Sequence, residues 1–224
     1  HDHSAHSFLF GPDGKLYFNF GNSGHQLKDK NGKLVVDRAG NEVIANRKPY
    51  QEGMVFRCDL DGSNVKRLTN NKNYEAEVSV SPDGQWLVFG RQTDGKMDLW
   101  RMRPDGTEQQ QITFTDDWQE GAPFYLPDNE TILYRAWKRS EYGKIKPTPM
   151  TVFTIKHDGT GHTVRTFDQA MNWAPYPAPD GRHYVFVRVV EDNNWEVFLG
   201  DLAGGEPKRL TFNPGFDGLP SLSK

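Results

Sequence analysis

YEAEVSVSPDGQWLVFGRQTDGKMDLWRMRPDGTEQQQITF, residues 74–114, contains four short strand-like runs and two proline-aspartate-glycine turns. In SPDG (81–84) and RPDG (103–106) each residue has a physical task. Proline presets φ for the first central turn position, aspartate bonds to its own backbone, and glycine supplies the positive φ of a tight hairpin. The runs between are rich in β-branched and aromatic residues and show no 3.6-residue apolar period, so they read as strands. The unit is strand, turn, strand, loop, strand, turn, strand.

The same spelling recurs along the chain. GPDG (11–14), LPDN (126–129) and APDG (178–181) match SPDG, and KLYFNF, TILYRA and HYVFVRV follow them as QWLVFG follows SPDG. Short strands running into turns come next in VFRCDLDGSN (55–64), VFTIKHDGTG (152–161) and VFLGDLAGGE (197–206), and VKRLT (65–69), TVRTF (163–167) and PKRLT (207–211) close the units. Four strands in roughly 45 residues is the period of a β-propeller blade, and it excludes leucine-rich and helical repeats. The expected fold is all-β, a β-propeller of four-stranded blades. Blade units fall at 1–69, with an insertion at 21–53, then 74–114, 118–168 and 172–211, and residues 216–224 resemble the opening strand of a further blade. Four blades and one strand leave sheet edges open, so further blades or a second chain are expected to complete a larger propeller.

Composition supports this class. The 224 residues are 12% aromatic and include 22 glycines and 14 prolines, a mixture suited to many short strands broken by turns. A formal charge of −3 with interspersed signs offers no basic face for nucleic acid or an anionic membrane. Cys58 is the single cysteine, which excludes an internal disulfide and Cys-x-x-Cys sites and leaves it as a small strand residue. No run approaches the length of a membrane span, and the first residues lack the pattern of a signal peptide, as expected of a mature periplasmic or secreted chain.

SPDGQWLVF, DLWRMRPDGTEQQQIT and EVFLGDLAGGEPKRLT resemble the TolB-type, WD40-like (PD40) propeller repeats over about residues 54–224. Propellers with such repeats serve as docking modules, enzyme gates and scaffolds, so the resemblance implies a fold more sharply than a function. The insertion GNSGHQLKDKNGKLVVDRAGNEVIANRKPYQEG (21–53), with turn signals DKNG and DRAG, is expected to rise as a surface hairpin from one rim.

Aligned on the prolines of the turns, Glu75, Glu120, Asn172 and Asp217 share one column near the start of each innermost strand. That column is expected to ring one mouth of the central channel, where it would bind a cation, a basic peptide or a sugar, or bond to neighbouring backbone amides. Tyr74, Trp118, Trp173 and Phe216 lie beside it as an aromatic platform suited to a protein or carbohydrate ligand. Trp86, Trp100, Trp137 and Trp195 fall in strands or at their ends and are assigned to blade packing.

The first residues, HDHSAH, place His1, His3 and His6 at the spacing of part of a metallo-β-lactamase-like zinc signature, but Ala5 replaces its aspartate. On a strand, His1 and His3 share a face that His6 does not, so the three do not converge without a bend. HDHSAHSFLFGPDGKLYFNFGN and GMVFRCDLDGSN are similar to the propeller of soluble quinoprotein sugar dehydrogenases, and to that of membrane-bound dehydrogenases found beside cytochrome-like modules, over about residues 1–64. That resemblance implies His3 as the general base, Gly11, Pro12, Asp13 and Gly14 as the family turn, and Asn22 in place of the acid that supports the base. It further implies pyrroloquinoline quinone (PQQ) held by calcium as cofactor. Asparagine orients and charges a histidine more weakly than an acid does, and His6 stands where that family has glycine. G-x-S-x-G is absent, so no serine-hydrolase half accompanies the propeller. The leading expectation is a noncatalytic binding or scaffold propeller that engages a protein or glycan at the channel rim, with His6 a further candidate ligand. The alternative is a quinone- and calcium-dependent sugar or alcohol dehydrogenase centred on His3.

Overall fold

A computed structural model of the chain describes residues 5–20, 28–35, 54–70, 73–191 and 194–222. Among them are sixteen strands and no helix, and hence no helix long and apolar enough to cross a membrane. The first sheet holds β1 (Ala5–Phe10), β2 (Lys15–Phe20), β3 (Met54–Asp59) and β4 (Lys66–Arg67), and the second β5 (Glu75–Val80), β6 (Leu87–Thr93), β7 (Lys96–Met102) and β8 (Gln110–Gln111). The third has β9 (Trp118–Tyr125), β10 (Thr131–Lys138), β11 (Thr151–Lys156) and β12 (Thr163–Val164), and the fourth β13 (Asn172–Pro177), β14 (His183–Glu191), β15 (Asn194–Asp201) and β16 (Lys208–Arg209). Each sheet is an antiparallel meander in which strands pair in chain order, the build of a propeller blade. Two compact units divide the chain after Gln111, each with two of the sheets.

The turn chemistry is uniform. The amide of Gly14 donates to Gly11 O at 3.0 Å and that of Gly84 to Ser81 O at 2.8 Å, while Asp13 and Asp83 accept the amide two residues on. In LPDN, Asn129 takes the glycine's place at φ 62°, which asparagine tolerates better than most side chains. Gly106 has a second constraint, since a Cβ there would lie 2.3 Å from the Leu68 carbonyl oxygen.

In the first, third and fourth sheets a threonine after the outer strand ties it to the third strand. Thr69 Oγ1 accepts the Val55 amide at 3.1 Å, and Thr166 and Thr211 accept those of Val152 and Val197 at 2.9 Å each. The outer strands are only two residues long, so this bond extends a short pairing. Between the first two sheets Tyr17 and Val55 meet Val78, Leu87, Phe89 and Met102. Between the third and fourth, Leu133 and Val152 meet Tyr184, Phe186 and Phe198. Each such side chain contributes about 1.5–3 kcal/mol on burial.

A bulge recurs in every innermost strand. Ser7, Glu77, Ala122 and Ala174, each five residues before the proline of its turn, adopt φ of 55°, 58°, 48° and 49°, and Leu219 does the same at 55° after the fourth sheet. The pairing register shifts at each of the four strand sites. A left-handed residue other than glycine costs about 1–2 kcal/mol, and the bulge turns an amide out of the ladder. In the second sheet that amide, Val78 N–H, donates to Asn19 Oδ1 at 2.8 Å. At the same position Pro123, Pro175 and Pro220 have no N–H to satisfy.

The described part of the insertion, residues 28–35, departs from the expected projecting hairpin. Residues 28–35 form a hairpin around DKNG that folds back on the first sheet: Lys30 N–H donates to Gly62 O at 3.3 Å, its ammonium pairs with Asp61, and Val35 is buried with Phe18, Met54, Phe56 and Cys58. An apolar valine at the base of the hairpin gains more by covering that sheet face than by standing in water. The DRAG turn lies outside the described residues.

Candidate functional site

Alignment of the repeats places Glu75, Glu120, Asn172 and Asp217 in one column, and the structure gives these four side chains unequal surroundings. Glu75 is buried against Arg91, the residue opposite it on β6, whose Nε donates to Glu75 Oε1 at 2.7 Å. The same guanidinium donates to Gln109 Oε1 at 2.7 Å and lies 4.3 Å from the Trp100 ring centroid. Glu120 is buried and accepts from Thr113 and, at 2.9 Å, from Thr115. Asn172 accepts from Arg188 Nε at 2.8 Å and donates to Asp168 Oδ1 at 2.8 Å and to Met150 O at 3.0 Å, while Arg188 pairs with Asp168 at 2.5 Å. Each of these three is thus buried and bonded within its own unit. Asp217 is half-buried, and its Oδ2 has no hydrogen-bond partner among the described residues.

The aromatic residues of the second compact unit converge more clearly. In an antiparallel meander the start of the first strand, the end of the second, the start of the third and the end of the fourth share one end of the sheet. Trp118 opens β9, and Tyr142 and Ile145 are exposed in the β10–β11 connection at that end. Trp173 lies at the start of β13, 6.0 Å from the Trp195 ring and 6.4 Å from that of Phe216. Short bridges join Met150 to Met171 and Trp195 to Phe216, which keep the strand starts together. Trp118 is braced edge-on by Phe153 at 5.3 Å and by the Lys138 ammonium at 5.5 Å.

Three further residues complete this end. Phe114, Phe167 and Phe212 follow the threonine that closes a unit, and they are 78%, 78% and 71% exposed. They are not among the sequence candidates, although the endings ITF, RTF and LTF hold the signal: each has phenylalanine where the first unit has Asn70. Such exposure, repeated at one position, leaves a large apolar area in water.

The histidine cluster falls largely outside this description. His3 and Asn22 lie outside the described residues, and His6 lies in β1 with its side chain not described. Among the described residues no group of three or more His, Cys, Asp or Glu side chains is placed to hold a metal ion. His162 is well placed structurally: it stacks 4.9 Å from Phe153, bonds Tyr134 Oη through Nε2 at 2.8 Å, and burial holds its pKa below the ordinary histidine value.

No family model matches the chain. Among curated proteins it is similar to a TolB homolog of Chlorobium luteolum, 24% identical over 182 residues that cover 79% of this chain and 37% of that protein. The chain spans less than half the length of the curated relatives it matches. Among solved structures it is similar to TolB from Acinetobacter baumannii, with a TM-score of 0.65 at 18% identity over 79% of this chain and 42% of that one. A chain of a nidogen/laminin complex matches with a TM-score of 0.68 at 12% identity, over 100% of this chain and 70% of that one. The fold is a β-propeller, and its likeness in both sequence and structure is to the TolB type.

Proposed function

We propose that the chain is a noncatalytic β-propeller module that binds a protein partner through the aromatic end of its second compact unit. The observation that carries this reading is the column Phe114, Phe167 and Phe212, three phenyl rings held in water at one repeat position. Removing such area from water is the main gain of association, and aromatic anchors supply a disproportionate share of it. Trp118 and Trp173 extend the apolar area. Glu120 and Asn172 act beneath the surface by fixing the chain around it. Likeness to TolB and to a chain of a nidogen/laminin complex supports a protein ligand, and a periplasmic or secreted location belongs to the same reading.

The test is comparative capture. Immobilised wild-type chain, an F114S/F167S/F212S variant and an L60S control are exposed to the same periplasmic extract, and retained proteins are identified. The triple variant is expected to lose proteins that wild type and L60S both keep. Equal retention by all three overturns the assignment, and binding to a glycan array that depends on the same phenylalanines would replace the protein by a sugar.

A further inference from the structure

The folded-back hairpin of the first sheet helps to wall a cleft. Between residues 28–35, the DGSN turn and the outer strand β4 lies a cleft of about 620 Å³ that also touches Asp105 of the second sheet. Its volume is in the range of ligand sites, and Leu34, Val65 and Leu68 make its wall partly apolar.

Its lining is net basic. Lys33, Arg57, Lys66 and Arg67 line the cleft against two acids, Asp29 and Asp105. Both acids have turn duties: Asp29 Oδ1 accepts the amides of Asn31 and Lys33, and Asp105 Oδ1 accepts the amide and hydroxyl of Thr107. The arginines are oriented by backbone carbonyls, Arg57 by Pro104 O at 3.3 Å and Arg67 by Thr69 O at 2.5 Å. Neither the Lys33 nor the Lys66 ammonium has an ion-pair partner among the described residues, and both residues are exposed.

The fourth sheet provides an internal comparison. Lys208 and Arg209 stand where Lys66 and Arg67 stand, but Arg209 pairs there with Glu196 at 2.5 Å. The place of Glu196 is taken in the first sheet by Met54, since the next residues, Val55 and Val197, make the same threonine bond. Met54 thus stands where the fourth sheet has Glu196, at the site where a hairpin also adds Lys33.

We propose that this cleft binds a carboxylate-bearing segment of polypeptide in extended form. Opposite charge selects the acid side chains, with arginine suited to grip a carboxylate through two parallel bonds. The apolar wall suits residues between the acids. The extended form follows from β4, which is the last strand of its sheet and so offers the edge to which a peptide strand adds. This proposal is independent of the aromatic surface in the second unit.

Fluorescence anisotropy with a labelled, end-blocked peptide of alternating glutamate and valine tests it, with a lysine-valine peptide as control. Wild type is expected to bind the acidic peptide in a salt-sensitive manner, K33E/K66E to weaken it by about tenfold or more, and K208E to leave it within about twofold. The substituted lysines are exposed, so urea midpoints report whether the fold is kept. The proposal is overturned if wild type fails to bind the acidic peptide, if K208E weakens binding as much as the double variant, or if the lysine-valine peptide binds as well. Displacement of the peptide by free glutamate at equal concentration would also overturn it, because the extended chain would then add nothing.

Discussion

Replacing Asn19 by alanine tests the hydrogen-bond account of the bulges. Asn19 is fully buried, and its Oδ1 is the acceptor for the Val78 amide at 2.8 Å, while its Nδ2 reaches Met54 O and Glu75 O only at 3.4 Å. Removing the acceptor leaves a buried N–H without a partner, at about 1–3 kcal/mol, and the two long bonds add about 0.5 kcal/mol each at most. N19A should therefore lower stability by about 1–4 kcal/mol. V78P should also destabilise, because it strands Asn19 Oδ1 instead. Proline occupies this position in the third and fourth sheets, as buried Pro123 and Pro175, so the backbone of the motif accepts the ring. Combining N19A with V78P removes donor and acceptor together, and the double variant should be more stable than the sum of the singles by about 1–2 kcal/mol. Urea unfolding of the four proteins, with m-values compared, measures this. Additivity within about 0.5 kcal/mol would refute the account and assign Asn19 to packing alone.

Three further outcomes concern a buried ion pair, an exposed one and a histidine. E75A strands the Arg91 guanidinium inside the second sheet and should cost about 3–5 kcal/mol with little dependence on salt. R182A, which breaks an exposed pair with Asp201, should leave the urea midpoint nearly unchanged, because solvent screens such a pair. Because burial lowers the His162 pKa, the unfolded chain takes up the proton first. Stability should thus be full above about pH 6.5, fall as pH drops below it, and level off below the folded pKa. Urea midpoints between pH 7.5 and 5 should show this decline, and H162F should flatten it; an unchanged slope in H162F would assign the decline to other groups.

The sheets were legible because their turns are spelled by residues with local reasons to be there. Proline, aspartate and glycine act on the backbone within three positions, so SPDG means the same in isolation as in the fold. The column of Glu75, Glu120, Asn172 and Asp217 was legible as an alignment but not as an environment. Arg91 and Arg188 come from the neighbouring strand, and their pairing with Glu75 and Asn172 depends on the register on either side of a bulge. That bulge has no residue signature of its own, since serine, glutamate, alanine and leucine all occupy it. Its trace is the proline one position later, which sequence reading takes for a strand irregularity. The exposed phenylalanines escaped for the opposite reason: a hydrophobic residue at the end of a strand is ordinarily a core residue, and only the structure shows these in solvent.

The two ways of settling the bulge amide have unequal effects on cooperativity. Where a proline removes the donor, as at Pro175, that strand needs nothing from its neighbour at this position and can order or fray on its own terms. Where Asn19 supplies the acceptor, the innermost strand of the second sheet is satisfied only while β2 of the first is in place. Opening of either sheet in the first unit therefore exposes an unmet polar group in the other, which should make their amide exchange rise together as one unfolding unit.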